Sequence, residues 1–96
     1  MQYMHKHYPV PIVFDATHAV QQPGGNGDSS GGNRDYVTGL ACAAAGMGIT
    51  NFFLEVHADP DNAPSDGPNM LKLKDFQTTV KRIALISKTL ENAWWI

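Results

Sequence analysis

The stretch Pro11-Ile12-Val13-Phe14-Asp15-Ala16-Thr17-His18-Ala19-Val20-Gln21-Gln22-Pro23-Gly24-Gly25 decides the fold that we predict for this chain. It begins with a short apolar run between prolines, the pattern of a strand buried on both faces of a parallel sheet. Polar residues and then glycines follow at once, so the strand should end at Asp15. His18 and Gln21 would lie just past its carboxyl end, where α/β folds bind their ligands.

A second strand is predicted over residues 51–56, and it too ends among polar residues, at Glu55 and His57. The segment between the two strands, from Asp35 to Met47, has small apolar residues at helical spacing and is followed by Gly48, a typical helix terminator. Its predicted core face consists of Val37, Leu40, Ala41, Ala44 and Ala45. Strand, loop, helix and strand together form a βαβ unit with a right-handed crossover.

Residues 22–33 are rich in glycine and have no apolar side chain to order them, which predicts a long loop. The loop lacks the Gly-Lys-Ser/Thr ending of a nucleotide P-loop. We therefore interpret it as a mobile lid over an active site. Arg34 follows the lid and could bind a phosphate or carboxylate in bidentate fashion, although a solvated arginine at a helix start is an equal alternative.

The last segment predicts an amphipathic helix from Leu73 to about Trp94. Its apolar register is Phe76, Val80, Ile83, Ser87, Leu90 and Trp94.

Residues 1–9 are typical of the end of a preceding helix. Two buried strands cannot cover their own faces and edges, so we expect residues 1–96 to be the carboxyl-terminal part of a single larger domain.

Composition excludes several classes of function. The 96 residues have a formal net charge of −2 and no basic cluster, which argues against nucleic-acid binding. No apolar run approaches the roughly 20 residues that span a bilayer, and the first six residues lack a signal-peptide core. We therefore expect a cytoplasmic protein with no membrane partner. Cys42 is the single cysteine, expected to be a buried and inert thiol in a helix.

The ends of the two strands concentrate the polar chemistry of the chain. If the strands are neighbours in one sheet, His18, Glu55, His57 and Asp66 come to the same rim. One imidazole with two carboxylates suits a divalent cation such as Mn²⁺, Fe²⁺ or Zn²⁺. Two alternatives remain open from spacing alone: rim residues satisfied by hydrogen bonds, and general acid–base work by a histidine.

Four ordered motifs carry a resemblance over about residues 8–90. They are Phe14 to Gly25, Ser30-Gly31-Gly32-Asn33-Arg34, Leu54 to Asp61, and Ser65-Asp66-Gly67-Pro68-Asn69. Their order and spacing resemble the carboxyl-terminal third of the 3-deoxy-D-manno-octulosonate 8-phosphate synthases, also called 2-dehydro-3-deoxyphosphooctonate aldolases. The resemblance implies an α/β fold, the (β/α)8 TIM barrel, of which this chain would be the last two βα units.

The resemblance also implies a reaction and a site. These enzymes condense phosphoenolpyruvate with arabinose 5-phosphate and water, release phosphate, serve lipopolysaccharide biosynthesis and are usually homotetramers. His18 would be catalytic, contact substrate and bind the metal; Glu55 and Asp66 would be further metal ligands. Gln21 and Asp66 would take part in catalysis, and Arg34 would bind substrate.

Metal dependence is left open by the resemblance. The metal-dependent branch takes a fourth ligand from a cysteine on the first barrel strand, where the other branch has asparagine, and this chain contains no such position. Ser65 lies where the metal-dependent branch often has serine and the other branch has cysteine, so the resemblance favours the metal-dependent branch. Two other functions stay open: a truncated, non-catalytic fragment that binds metal or associates with other chains, and a related synthase that uses erythrose 4-phosphate. We expect no turnover from the isolated 96 residues.

Overall fold

The computed structural model describes residues 2–26, 29–64 and 67–92, with backbone only at residue 5, at residues 21–26 and at residues 29–32. The chain is α/β. In order, its helices and strands are α1 (Gln2–His7), β1 (Val13–Asp15), β2 (Gln21–Asn26), β3 (Ser29–Gly32), α2 (Val37–Met47), β4 (Asn51–Phe53), β5 (Val56–His57), β6 (Leu71–Lys72) and α3 (Leu73–Asn92). Short 3-10 helices cover His18–Val20, Arg34–Tyr36, Pro60–Asn62 and Gly67–Asn69.

The predicted βαβ unit is confirmed. Strands β1 and β4 pair in parallel, with Phe14 opposite Phe52, and α2 connects them. The ladder continues one step past β1, where the backbone N–H of Ala16 donates to the carbonyl of Phe53 at 3.1 Å. The carboxyl ends of both strands therefore lie side by side, which is the condition for a shared site.

The predicted strand over residues 51–56 is divided in two. Strand β4 ends at Phe53, and β5 begins at Val56 and pairs in parallel with β6. Between them, the N–H of Glu55 turns to the hydroxyl of Thr17 at 2.7 Å, and its carbonyl accepts from the N–H of Leu71 at 3.0 Å. The chain thus leaves one ladder and enters another at Glu55, because each backbone group finds a different partner.

Helix α2 provides four of the eight buried hydrophobic residues in the described part of the chain. Its buried residues are Val37, Ala41, Ala44 and Ala45, as predicted, whereas Leu40 is 39% exposed and the prediction for it was wrong. Small alanine side chains let the helix lie close to its neighbours. The main buried cluster consists of Ala16, Val20, Val37, Ala41 and Leu71, with Phe14, Phe52, Leu54, Val56 and Ile83 packed against it. Cys42 is half-buried rather than buried.

Both ends of α2 have a local cause. Asn33 precedes the 3-10 turn and its side-chain oxygen accepts from the N–H of Asp35 at 3.0 Å. At the other end Gly48 has φ 108°, the left-handed conformation that glycine adopts without strain. The N–H of Ile49 then donates to the carbonyl of Ala44 at 3.0 Å, and Ile49 is buried. The predicted end of the helix is confirmed.

Helix α3 begins at Leu73 as predicted, and its described part runs to Asn92. Its most buried residue is Thr79, while Phe76 and Val80 of the predicted apolar face are 38% and 42% exposed. Thr79 faces α2, where its hydroxyl lies 2.7 Å from that of Thr38. The prediction for Phe76 and Val80 was wrong, because α3 contacts α2 through Thr79 rather than through these two side chains. Trp94 and Trp95 lie outside the described residues.

The prediction of a long loop over residues 22–33 was also wrong for the described part of this segment, and its interpretation as a lid stays a prediction. Strands β2 and β3 form an antiparallel pair, with Gln21 opposite Gly32 and Asn26 opposite Ser29. Backbone N–H and C=O groups can pair without any apolar side chain, and strand pairing satisfies them directly. Of the two strands, β3 contacts the 3-10 helix Gly67–Asn69. Within the described residues, no helix is both long and apolar enough to cross a membrane.

Candidate functional site

His18 is held by the last residue of β1. The carboxylate of Asp15 accepts from the backbone N–H of His18 at 2.9 Å through Oδ1 and from ring Nδ1 at 2.6 Å through Oδ2. An ionised carboxylate only accepts hydrogen bonds, so the proton of this bond is on Nδ1. In the neutral ring, Nε2 then carries the lone pair and can act as a ligand or a base. The Asp-Ala-Thr-His order therefore sets the orientation of the ring locally.

Glu55 reaches the same place from the second strand. Its Oε1 lies 3.6 Å from His18 Nε2, too long for a hydrogen bond but close enough for an ion pair when the ring is protonated. The fully buried Thr17, next to His18, accepts from the N–H of Glu55 at 2.7 Å. One hydroxyl therefore ties the two strand ends together. The structure brings His18 and Glu55 together, as the sequence predicts.

Asp15 has a pKa below its ordinary value of 3.8. Partial burial would raise this pKa, but the hydrogen bonds from the backbone and ring of His18, the charge of that ring and the N–H of Thr17 together lower it. The carboxylate therefore stays ionised across the neutral range and keeps its hold on His18. Asp15 and Thr17 were not among the predicted site residues. An aspartate three residues before a histidine at a strand end is a signal that could have found Asp15.

Arg34 contacts the loop that follows β5. A terminal guanidinium nitrogen donates to Asp61 Oδ1 at 2.6 Å and to the carbonyl of Gly67 at 2.9 Å. The hydrogen bond and charge of Arg34 hold the pKa of Asp61 below its ordinary value. The nearby loop has its own internal bonds, since His57 Nδ1 accepts from the N–H of Asp59, whose carboxylate accepts from the amide of Asn62. Contact of Arg34 with a substrate stays a prediction.

Two further predicted site residues fall beyond what the structure describes. Asp66 lies outside the described residues, and Gln21 is described only by its backbone, as the first residue of β2. Among residues 2–26, 29–64 and 67–92, no group of three His, Cys, Asp or Glu side chains is placed to hold a metal ion. The described part of the candidate site is therefore the pair of His18 and Glu55 with its supports Asp15 and Thr17.

Comparison with known proteins identifies the family of the chain. The family model of the DAHP synthetase I family matches residues 1–91. This chain belongs to the DAHP synthetase I family. The family is one of TIM barrels, which agrees with the α/β fold and the parallel pair of β1 and β4.

Several curated relatives of this family member are named 2-dehydro-3-deoxyphosphooctonate aldolase. A 2-dehydro-3-deoxyphosphooctonate aldolase of Nitrobacter hamburgensis is 59% identical over 73 residues, which are 76% of this chain and 25% of the relative. Proteins of the same name from Bartonella henselae and Bradyrhizobium diazoefficiens are 52% and 51% identical, over 88% and 85% of this chain and 32% and 29% of their own length. The chain spans about a quarter to a third of the length of these relatives. The resemblance stated from the motifs is confirmed.

Proposed function

We propose that this chain contributes the last two βα units of a TIM barrel to a 2-dehydro-3-deoxyphosphooctonate aldolase. The observation that carries the proposal is the meeting of His18 and Glu55 at the carboxyl ends of two adjacent parallel strands. Barrel enzymes build their sites at that end. The names of the relatives support the choice of activity.

The proposed reaction joins phosphoenolpyruvate to arabinose 5-phosphate. The enol carbon attacks the aldehyde of the open-chain pentose phosphate, water adds to the neighbouring carbon, and phosphate leaves by C–O cleavage. His18 would act beside these reacting groups, with Gln21 and Asp66 as further catalytic residues. The residues that hold the enolpyruvate carboxylate and phosphate would come from the upstream part of the barrel. A homotetramer and a cytoplasmic location stay predictions.

The described donors fit a divalent metal. In a tetrahedral site, two N or O ligands about 2.1 Å from one ion lie about 3.4 Å apart. His18 Nε2 and Glu55 Oε1 are 3.6 Å apart, so a small adjustment would let both bind the same ion. His18 and Glu55 would hold the metal, with Asp66 as the proposed third ligand. The bound metal would polarise a carbonyl oxygen or lower the pKa of a water. The metal-independent branch stays open.

Neighbouring residues of the chain orient the side chains of His18 and Glu55. Asp15 keeps the proton of His18 on Nδ1 and so directs the lone pair of Nε2 toward Glu55. Thr17 fixes the backbone of Glu55, which keeps this carboxylate near the ring. The residues that make these bonds lie within three residues of the ends of β1 and β4, so regular secondary structure supports the site.

The test uses the Nitrobacter hamburgensis relative, with the segment that aligns to this chain replaced by this chain. The assay measures phosphate released from phosphoenolpyruvate with arabinose 5-phosphate or with erythrose 4-phosphate. We expect release with the pentose phosphate and a loss of at least about 100-fold on His18→Ala. His7→Ala is the matched control, because His7 is an exposed histidine on α1, and it should leave the rate unchanged.

Two outcomes would contradict the proposal. Phosphate release with erythrose 4-phosphate alone would assign the chain to the related synthase. A folded hybrid that releases no phosphate with either sugar would favour the non-catalytic alternative. The isolated chain should show no turnover, since the described residues supply only part of the site.

A further inference from the structure

Arg34 bridges two short helices that bound one loop. Its acceptors are Asp61, in the 3-10 helix Pro60–Asn62, and Gly67, the first residue of the 3-10 helix Gly67–Asn69. A single guanidinium nitrogen makes both bonds, at 2.6 and 2.9 Å. The two acceptors are six residues apart along the chain, so these bonds hold together the two sides of the loop that follows β5.

The backbone of Arg34 is fixed to the core. Arg34 opens the 3-10 turn that Asn33 caps, and this turn runs directly into α2. Helix α2 is anchored by the buried Val37 and Ala41. The side chain of Arg34 is only 18% exposed, whereas that of Asp61 is 74% exposed. The bridge therefore starts from a rigid helix and reaches out to a loop at the surface.

Close packing of Gly67 against Pro60 also holds the two ends of this loop together. A Cβ added to Gly67 would come closer than 3.0 Å to the carbonyl oxygen of Pro60, a separation that real Cβ atoms do not show. Pro60, Gly67 and Asn69 are all buried. The carbonyl of Gly67 accepts both from Arg34 and from the N–H of Met70 at 3.2 Å. Arg34 thus holds the point at which the loop turns toward β6.

We propose that Arg34 is a positioning residue that holds the 3-10 helices Pro60–Asn62 and Gly67–Asn69 beside the start of α2, rather than a group that binds substrate. The two bonds described for its guanidinium group go to protein acceptors in these two helices, and one terminal nitrogen makes both. Its Nε is buried and has no hydrogen-bond partner within the described residues.

The test measures hydrogen exchange of the full chain at the N–H groups of Met70 and Leu71, which bond to Gly67 and Glu55. We compare Arg34→Ala and Asp61→Ala with Arg82→Ala, since Arg82 is an exposed arginine on α3. Both Arg34→Ala and Asp61→Ala should speed exchange at Met70 by about 5- to 30-fold, because a charge-assisted bond is lost. Arg82→Ala should change exchange less than twofold.

A titration with inorganic phosphate separates the two roles. If Arg34 is a positioning residue, Asp61→Ala reproduces the effect of Arg34→Ala on exchange, and the two variants have the same phosphate affinity. Phosphate affinity that falls in Arg34→Ala but not in Asp61→Ala, with exchange unchanged at Met70, would overturn the proposal and assign Arg34 to substrate. Because hydrogen exchange does not depend on the sugar phosphate that the enzyme uses, this result is independent of the proposed activity.

Discussion

Replacing Gly67 with alanine should destabilise the chain although it adds only one methyl group. The new Cβ would lie closer than 3.0 Å to the carbonyl oxygen of Pro60. This oxygen is a backbone atom of a buried residue, so rotation of a side chain cannot relieve the clash. The 3-10 helix Gly67–Asn69 would have to shift, and the bond from Arg34 to the Gly67 carbonyl would lengthen.

The cost can be estimated from these two effects. Overpacking a well-packed site costs about 1–3 kcal/mol. Weakening the hydrogen bond from Arg34 adds about 1 kcal/mol. We therefore expect the free energy of unfolding to fall by about 2–4 kcal/mol, which corresponds to roughly 10–20 °C in Tm for a domain of this size.

Urea unfolding followed by circular dichroism measures this loss. Gly39→Ala is the matched control, because a Cβ at Gly39 meets nothing within 4 Å and the residue lies inside α2. Alanine in that helix should raise the free energy of unfolding by about 0.5–1 kcal/mol. If Gly67→Ala were as stable as the parent chain, the close approach of Gly67 to Pro60 would be refuted.

Two other predictions concern single contacts. Because the pKa of Asp15 is lowered on folding, its stabilising effect is present above pH 3.8 and is lost as the pH falls through the lower folded value. Asp15→Asn should therefore weaken the chain at pH 7, and urea titrations should show the difference from the parent shrinking toward pH 3; a constant difference would contradict the linkage. Thr79→Val should cost about 1–2 kcal/mol in urea unfolding, because Thr79 is buried and bonds to Thr38 and to the carbonyl of Asp75. The exposed neighbour Thr78→Val should change stability by less than about 0.5 kcal/mol, and equal losses for the two variants would count against the α2–α3 contact.

The predictions that held depend on short-range causes. The end of α2 at Gly48 follows from the conformational freedom of glycine, and the crossover between β1 and β4 follows from two apolar runs separated by a helical pattern. The pairing of His18 with Glu55 at the strand ends was predictable once the strands were taken as parallel neighbours.

The predictions that failed each depend on a distant partner. The glycine-rich segment pairs as β2 and β3, and no apolar pattern in its own residues indicates a strand. The division of the second strand occurs at Glu55, because Thr17 and Leu71 take its two backbone groups. Leu40 is exposed although its spacing places it with the buried alanines, since the covering elements lie on the other side of α2.

By itself, the sequence determined the order of β1, α2, β4 and α3, the end of α2 at Gly48 and the local contact of Asp15 with His18, which lies within three residues. Periodicity, glycine conformations and hydrogen bonds between near neighbours are sufficient for these features. Only the tertiary structure decided that Arg34 meets Asp61, 27 residues away, and that Thr17 holds Glu55, 38 residues away. Such contacts depend on how all the packed elements approach one another, and no local pattern of residues contains that information.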